Sequence, residues 1–137
     1  MFSFINKTII FKFSIDSSIF PWNLNNIQLC RTINSYSKCM DMHVSRSQTY
    51  IVSGHNDCSI KAWNAKSKDS IFKIPDAHAD PVSCVRVTPD ENYVVSTSKD
   101  DTIKIWDLRK QKQLHVFEHD DFRLGSNNVR FCVSPNS

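Results

Sequence analysis

Glycine is scarce in this sequence: only Gly54 and Gly125 occur among 137 residues, where average usage would give about ten. Glycine-rich phosphate-binding loops are therefore excluded, because their backbone must approach the phosphate more closely than a side chain allows. The five cysteines form no Cys-x-x-Cys pair, so the sequence predicts neither a zinc site nor a disulfide framework. We expect no metal and no cofactor, and free thiols favour a reducing, cytoplasmic compartment.

Long apolar runs and a strong charge bias are also missing. Lys7 and Lys12 interrupt the apolar N-terminal residues well short of the roughly 18 that a membrane-spanning helix needs. Lys and Arg number 17 against 14 Asp and Glu, a net charge of +3 with no basic block. These patterns favour a protein that has no nucleic-acid partner and does not insert directly into a membrane.

An internal repeat is the strongest positive signal in the chain. The segment YIVSGHNDCSIKAWN (50–64) aligns with YVVSTSKDDTIKIWD (93–107) at an offset of 43 without a gap, and seven of the 15 positions are identical. Each unit contains four short segments of strand-like pattern, separated by turn-forming Asp, Asn and Pro residues. No window of ten or more residues keeps the helical period of 3.6. The sequence therefore predicts an all-β protein.

A period near 40 residues with four strands and a Trp-Asp ending is typical of one blade of a β-propeller. We predict a partial β-propeller, an open arc of about three blades with four antiparallel strands in each blade. The predicted divisions are an N-terminal leader of no clear structure (1–7) and a propeller region (8–137). That region holds a partial blade (8–34), two whole blades (38–76 and 81–118) and the first strand of a further blade (128–134).

The Trp-Asp pair at 106–107, with weaker copies at 63–64 and 22–23, resembles the WD-repeat family. In that family a His before the first strand, a Ser or Thr in the second, an Asp in the next turn and a Trp in the third form a structural tetrad. The resemblance assigns to this tetrad His78, Ser96, Asp100 and Trp106 in the third blade, Ser53, Asp57 and Trp63 in the middle blade, and Asp16 and Trp22 in the first. Ser35 stands where the middle blade would have its His. We expect these residues to stabilise the fold, because a buried carboxylate or indole N–H is costly without a hydrogen-bond partner.

Within the WD-repeat family the sequence is most similar to the C-terminal propeller of autophagy-related protein 16. The residues that carry this likeness are 22–24, 29–33, 37–41 and 53–57, together with the missing His before the middle blade. The resemblance implies a non-catalytic scaffold for autophagosome assembly, located in the cytoplasm and peripheral to autophagic membranes. The implied partners are other proteins, namely the autophagy conjugation machinery or membrane-associated receptors.

Three alternative interpretations of the sequence lead away from an autophagy scaffold. The segment IWDLR (105–109) resembles the Trp-Asp-x-Arg motif of cullin ubiquitin ligase substrate receptors, in which Arg109 would meet the adaptor. A truncated gene model or gene remnant without independent function is the second, since an arc of three blades leaves its end blades without neighbours. An enzyme is the third, but a cysteine and histidine four residues apart on a strand are separated by about 13 Å, and three apart they point to opposite faces. We therefore expect no catalytic site.

Partner-binding residues are predicted on the loops at one end of the strands. The loops from second to third strand, and from fourth strand to the next blade, share this end, and loops on a rigid scaffold usually carry function. The predicted set is His55, Asn56, Lys99, Asp80, Asp120, Asp121, Phe122 and Arg123. Phe122 is of most interest, because an exposed aromatic beside an Arg and two acids has the composition of a binding hot spot.

Overall fold

The computed structural model describes residues 2–5, 9–13, 17–23, 28–29, 32–118 and 130–134. All regular elements in these ranges are β-strands. In chain order they are β1 (Phe2–Ile5), β2 (Ile9–Phe13), β3 (Ser18–Asn23), β4 (Gln28–Leu29), β5 (Ile33–Asn34), β6 (Cys39–Val44), β7 (Tyr50–His55), β8 (Ile60–Asn64), β9 (Ser70–Ile74), β10 (Val82–Val87), β11 (Tyr93–Ser98), β12 (Thr102–Asp107) and β13 (Lys112–Glu118).

The strands form three antiparallel sheets. The first has the order β1-β2-β3-β4, with β5 also paired to β3, while β6 to β9 and β10 to β13 each form a four-stranded meander. The second and third sheets share their register: Trp63 faces Ile51 across the ladder, and Trp106 faces Val94. Both sheets also have bulges at equivalent places: the extra residue is Met40 or Ser83 in the first strand, and Ile71 or Leu114 in the fourth. The predicted all-β fold, a partial propeller with open sheets, is confirmed.

The N-terminal residues differ from the prediction of a leader without clear structure. Residues Phe2–Ile5 form β1, which pairs with β2 from Phe2 opposite Lys12 to Ile5 opposite Ile9. Both segments are rich in Phe and Ile, which favour strands, so they satisfy one another's backbone as a hairpin. The last strand of this sheet is also divided, because β4 and β5 both pair with β3.

The further strand predicted at 128–134 is not seen where the structure describes it. Residues 130–134 do not form a strand. They lie beside β10, where the Arg86 guanidinium is 6.0 Å from the centre of the Phe131 ring. A strand is defined by its ladder of backbone hydrogen bonds, and among the described residues this segment pairs with no strand.

The core consists of two apolar layers, each lying between neighbouring sheets. One contains Ile19, Ile33, Cys39, Met42, Val44, Ile51, Trp63 and Ala65. The other contains Val52, Ile60, Ala62, Ile74, Ala77, Val82, Val85, Val87, Val94 and Trp106. Successive strand residues point to opposite faces, so Ile51 packs into the first layer and Val52 into the second. Burial on both faces explains why Ile51 and Val52 are both apolar, although they point to opposite sides of the sheet.

Candidate functional site

In the third sheet, hydrogen bonds join His78, Ser96, Asp100 and Trp106. His78 Nδ1 is 3.0 Å from Asp100 Oδ2, and His78 Nε2 is 2.8 Å from Ser96 Oγ. Ser96 Oγ also accepts from Trp106 Nε1 at 2.9 Å. The loop before β10 supplies the His, while β11, the following turn and β12 supply the others, so one bonded chain connects four segments of the blade.

Asp100 gathers donors from the loops around it. Its carboxylate accepts from the backbone N–H groups of Ala79 and Thr102 at 2.9 and 3.1 Å and from the Thr102 hydroxyl at 2.7 Å. Burial alone would raise the pKa of Asp100. The hydrogen bonds and the neighbouring His78 lower the pKa by more than burial raises it, so it lies below the ordinary value. Burial lowers the pKa of His78, an effect that Asp100 opposes. The arrangement fixes turn geometry and fits a structural role.

In the middle sheet, a different histidine occupies the tetrad position. Ser53 Oγ accepts from Trp63 Nε1 at 2.9 Å and lies 2.8 Å from His55 Nε2. His55 belongs to β7 itself, is fully buried, and has its Nδ1 3.2 Å from the carbonyl oxygen of Ser37. Ser35 is buried as well, and its hydroxyl donates to the Ser17 carbonyl at 2.6 Å. The missing loop histidine is thus replaced from within the strand.

Asp57 is bonded differently from its counterpart Asp100. Its Oδ1 accepts from the Ser59 backbone N–H at 3.2 Å and from the Ser59 hydroxyl. Its Oδ2 faces the buried Lys61 ammonium at 3.4 Å, which also donates to the Ser35 carbonyl at 2.6 Å. Burial raises the pKa of Asp57, but the Ser59 bonds and Lys61 bring it to about 2. Burial, followed by Lys61, lowers the pKa of His55 to about 4, so this imidazole is neutral at pH 7.

The predicted partner-binding residues divide into three groups. Asn56, Asp80 and Lys99 are exposed, and their loops meet at one end of the sheets, where Lys99 N–H donates to the Pro81 carbonyl at 3.2 Å. His55 does not belong with them: its place in β7 points the side chain into the tetrad, which corrects the expectation that it is accessible. The remaining predictions lie outside the described residues: Asp120, Asp121, Phe122 and Arg123, and likewise the tetrad prediction Asp16. Trp22 is described only by its backbone, in β3.

The thiols of Cys39 and Cys58 are poorly suited to nucleophilic attack. Burial, followed by the charge of Asp41, raises the pKa of Cys39 to about 12. Burial and then Asp80 raise the pKa of Cys58. A nucleophilic cysteine needs a lowered pKa. Among the described residues there is also no group of three His, Cys, Asp or Glu side chains placed to hold a metal ion.

A polar contact between the second and third sheets was missed by the sequence reasoning. Asp41, on β6, has a side chain only 2% exposed. Its Oδ2 accepts from Arg86 Nη1 at 2.6 Å and from the Val85 backbone N–H at 3.1 Å. The positions equivalent to Asp41 and Arg86 in the neighbouring repeats carry other residue types, so the repeat does not predict this pair.

The opposite end of the sheets presents Arg109. Its side chain is exposed, and its backbone N–H donates to Asp107 Oδ1 at 2.9 Å. A shallow cavity beside it is lined by Tyr50, Ile71, Phe72, Glu91, Leu108, Arg109 and Gln111.

In the described part of the chain, no helix has the length and apolar character to cross a membrane.

Stacked antiparallel sheets, two of which contain a chain of His-Ser-Trp hydrogen bonds, define a repeat protein of the β-propeller class. The family described as "WD domain, G-beta repeat" matches residues 27–64 and 69–107. The chain belongs to this family, whose propellers serve as scaffolds for protein interaction.

The chain spans only part of the length of three similar proteins. "Protein tipD" of Dictyostelium discoideum is 28% identical over 134 residues, which cover 96% of this chain and 22% of that protein. The solved structure "Structure of U3-55K" superposes with a TM-score of 0.79 at 22% identity over 86% of this chain and 38% of that one. "Crystal structure of RRP9 WD40 repeats" superposes with a TM-score of 0.78 at 22% identity, and the match covers 85% of this chain and 37% of that one. The two structures support the fold.

Proposed function

We propose that this protein is a non-catalytic interaction scaffold in autophagosome assembly, corresponding to the propeller region of an autophagy-related protein 16 homologue. The observation that carries the scaffold role is the rigid end of the sheets, where Asn56, Asp80 and Lys99 are exposed on loops whose backbones are bonded to one another. Such loops offer side chains to a partner without an ordering cost. The autophagy assignment rests on the sequence resemblance at 22–24, 29–33, 37–41 and 53–57.

In this proposal the protein works in the cytoplasm, peripheral to autophagic membranes, and holds membrane-associated receptors or conjugation machinery. The exposed side chains at the loop end carry both signs, with Asp80 and Lys99 as examples. Mixed charge on a rigid surface favours partner selection through complementarity. Membrane association would then come from the bound partner.

The test is localisation in starved cells. The 137-residue chain, fused to a fluorescent protein, is expected to gather at structures that carry the lipid-conjugated ubiquitin-like modifier. Lys99→Glu combined with Asn56→Ala should reduce this overlap several-fold. Lys66→Glu is the matched control, because Lys66 is exposed on a turn at the opposite end of the sheets. A diffuse wild-type chain, or equal loss in the control, would contradict the proposal.

A cullin-ligase substrate receptor is the second candidate, supported by the exposed Arg109 beside the apolar side chains of Ile71 and Leu108. An arginine next to apolar surface is a common anchor in protein interfaces. For this function, Arg109→Ala should abolish capture of a purified cullin adaptor, while the Lys99 and Asn56 substitutions should not. The opposite pattern would favour the first proposal, since the two sets lie at opposite ends of the strands.

A further inference from the structure

A cleft between the second and third sheets brings together hydrogen-bond donors that lack acceptors. It has a volume of about 500 Å³ and lies between β6 and β10, beside residues 132–133. Its polar lining includes His43, Arg46, Arg86 and Thr88. A space of this size accommodates an amino-acid side chain and the backbone next to it.

His43 presents a donor to this cleft. The backbone N–H of Val87 donates to His43 Nδ1 at 3.1 Å, so in the neutral ring the proton is carried by Nε2. Burial, and then the charge of Arg86, lower the pKa of His43, which keeps the ring in this neutral form at pH 7. Among the described residues, Nε2–H has no acceptor.

Arg86 is held in place with most of its donors unused. Its two hydrogen bonds, to Asp41 Oδ2 at 2.6 Å and to the Val85 carbonyl at 2.5 Å, both start at Nη1. The Phe131 ring lies 6.0 Å away, within range of a cation–π contact. The Nη2 and Nε donors therefore remain available, with no acceptor in the part of the chain that the structure describes. Arg46, exposed on the turn after β6, has no acceptor there either.

Charge counting selects the kind of anion. Arg46 and Arg86 contribute two positive charges, and Asp41, which is bonded to Arg86, offsets one of them. Asp90 directly follows the lining residues Thr88 and Pro89. It is bonded to Thr88 and Asn92, so it leaves the cleft donors free while adding negative charge nearby. Glu91, next to it, is bonded to Ser47. Because these carboxylates already offset the two guanidinium groups, a monoanion adds less unfavourable negative charge to this site than a phosphate dianion does.

We propose that this cleft binds a carboxylate, the Asp or Glu side chain of a partner protein, through Arg46, Arg86 and His43 Nε2–H. A guanidinium fork matches the two oxygens of a carboxylate. This proposal adds detail to the scaffold function. It rests on that function in one respect, namely that the carboxylate belongs to a partner protein. Binding is measured with isolated peptides. A failure of the carboxylate site can therefore be distinguished from a failure of the autophagy proposal.

The test compares three blocked peptides: Ac-Ala-Glu-Ala-NH₂, the same peptide with Gln, and the same peptide with phosphoserine. Binding to the ¹⁵N-labelled full chain is followed through the ring-nitrogen signals of His43. The Glu peptide should move these signals and saturate. The Gln peptide has nearly the same shape but lacks the charge and one of the two acceptor oxygens, so it should leave the signals in place. Equal responses to Glu and Gln, or tighter binding of phosphoserine, would overturn the proposal.

Variants locate the peptide on the protein. Arg46→Gln should weaken Glu-peptide binding at least fivefold and leave the circular dichroism spectrum unchanged, because Arg46 is exposed and bonded to nothing in the described structure. Lys66→Gln removes a positive charge from another exposed turn and should bind like the parent chain. Arg86→Lys, which keeps the charge but loses the fork, should also weaken binding. Parent-like binding by Arg46→Gln, or equal weakening by Lys66→Gln, would refute the site.

Discussion

His55 and Ser53 lie two residues apart on β7, and a hydrogen bond of 2.8 Å joins His55 Nε2 to Ser53 Oγ. In the next blade His78 makes the same bond to Ser96, also at 2.8 Å, but reaches it from a loop. Residues two apart on a strand share a face, which is why β7 can supply its own imidazole. The middle blade therefore depends on His55 for its tetrad and does not need a histidine at Ser35.

Replacing His55 should destabilise the protein strongly. His55→Ala removes a fully buried ring and a partner of Ser53, and we expect the free energy of unfolding to fall by about 2 kcal/mol or more. Urea denaturation followed by tryptophan fluorescence measures this change. Asn56→Ala is the control, since Asn56 is exposed and should change stability by only about 0.5 kcal/mol. Similar small effects of both substitutions would contradict the structural role.

His55 should also make stability depend on pH. Its pKa is about 4 in the folded protein and about 6.5 in an unfolded chain, so between these values the unfolded state binds more protons. Stability is therefore complete above pH 6.5 and falls as the pH decreases towards 4, by up to about 3 kcal/mol. The pKa of His78 is lowered too, so His78 also makes the protein less stable as the pH falls. In urea denaturation at several pH values, His55→Gln should show a shallower slope than the parent; equal slopes would rule out this contribution.

The two tetrad aspartates should differ in their importance. Asp100 has a side chain 9% exposed and bonded to His78, whereas Asp57 is 37% exposed and faces Lys61 instead of the tetrad histidine. Asp100→Ala leaves buried donors unpaired and should cost about 2 kcal/mol or more, and Asp57→Ala should cost less. Thermal and urea unfolding of both variants test the order. Equal losses would show that the tetrad carboxylate has no special role.

Gly54 is required by the close approach of two sheets. A methyl group added there would lie 2.5 Å from Val82 Cγ1 and 3.0 Å from Val85 Cγ1, and Val82 is fully buried. Gly54→Ala should therefore destabilise by about 1–3 kcal/mol. Combining it with Val82→Ala should restore part of the loss, because the smaller side chain makes room for the methyl group. A double-mutant cycle with a favourable coupling of about 1 kcal/mol would support this contact, and strict additivity would contradict it.

The repeat made much of the fold predictable. Strand pattern and turn residues recur at the offset of 43, and the register and bulges of β6 to β9 recur in β10 to β13. Hydrogen bonds within a blade connect residues at fixed spacing, so the resemblance to the WD-repeat family was enough to assign His78 and Asp100. His55 was missed, although its spacing of two from Ser53 places both on one face and could have revealed it. Its position after an apparent strand end had suggested a loop.

What the sequence determined by itself is the chemistry inside each repeat: strand-forming apolar segments, turns, and the Ser, Asp and Trp residues of the tetrad. These depend on local periodicity, which a single chain displays. The contacts between blades were decided only by the tertiary structure. Asp41 meets Arg86, and His43 meets the backbone of Val87, across 44 or 45 positions in the chain. Which donors are satisfied and which remain free depends on how two twisted sheets pack, and periodicity carries no information about that packing.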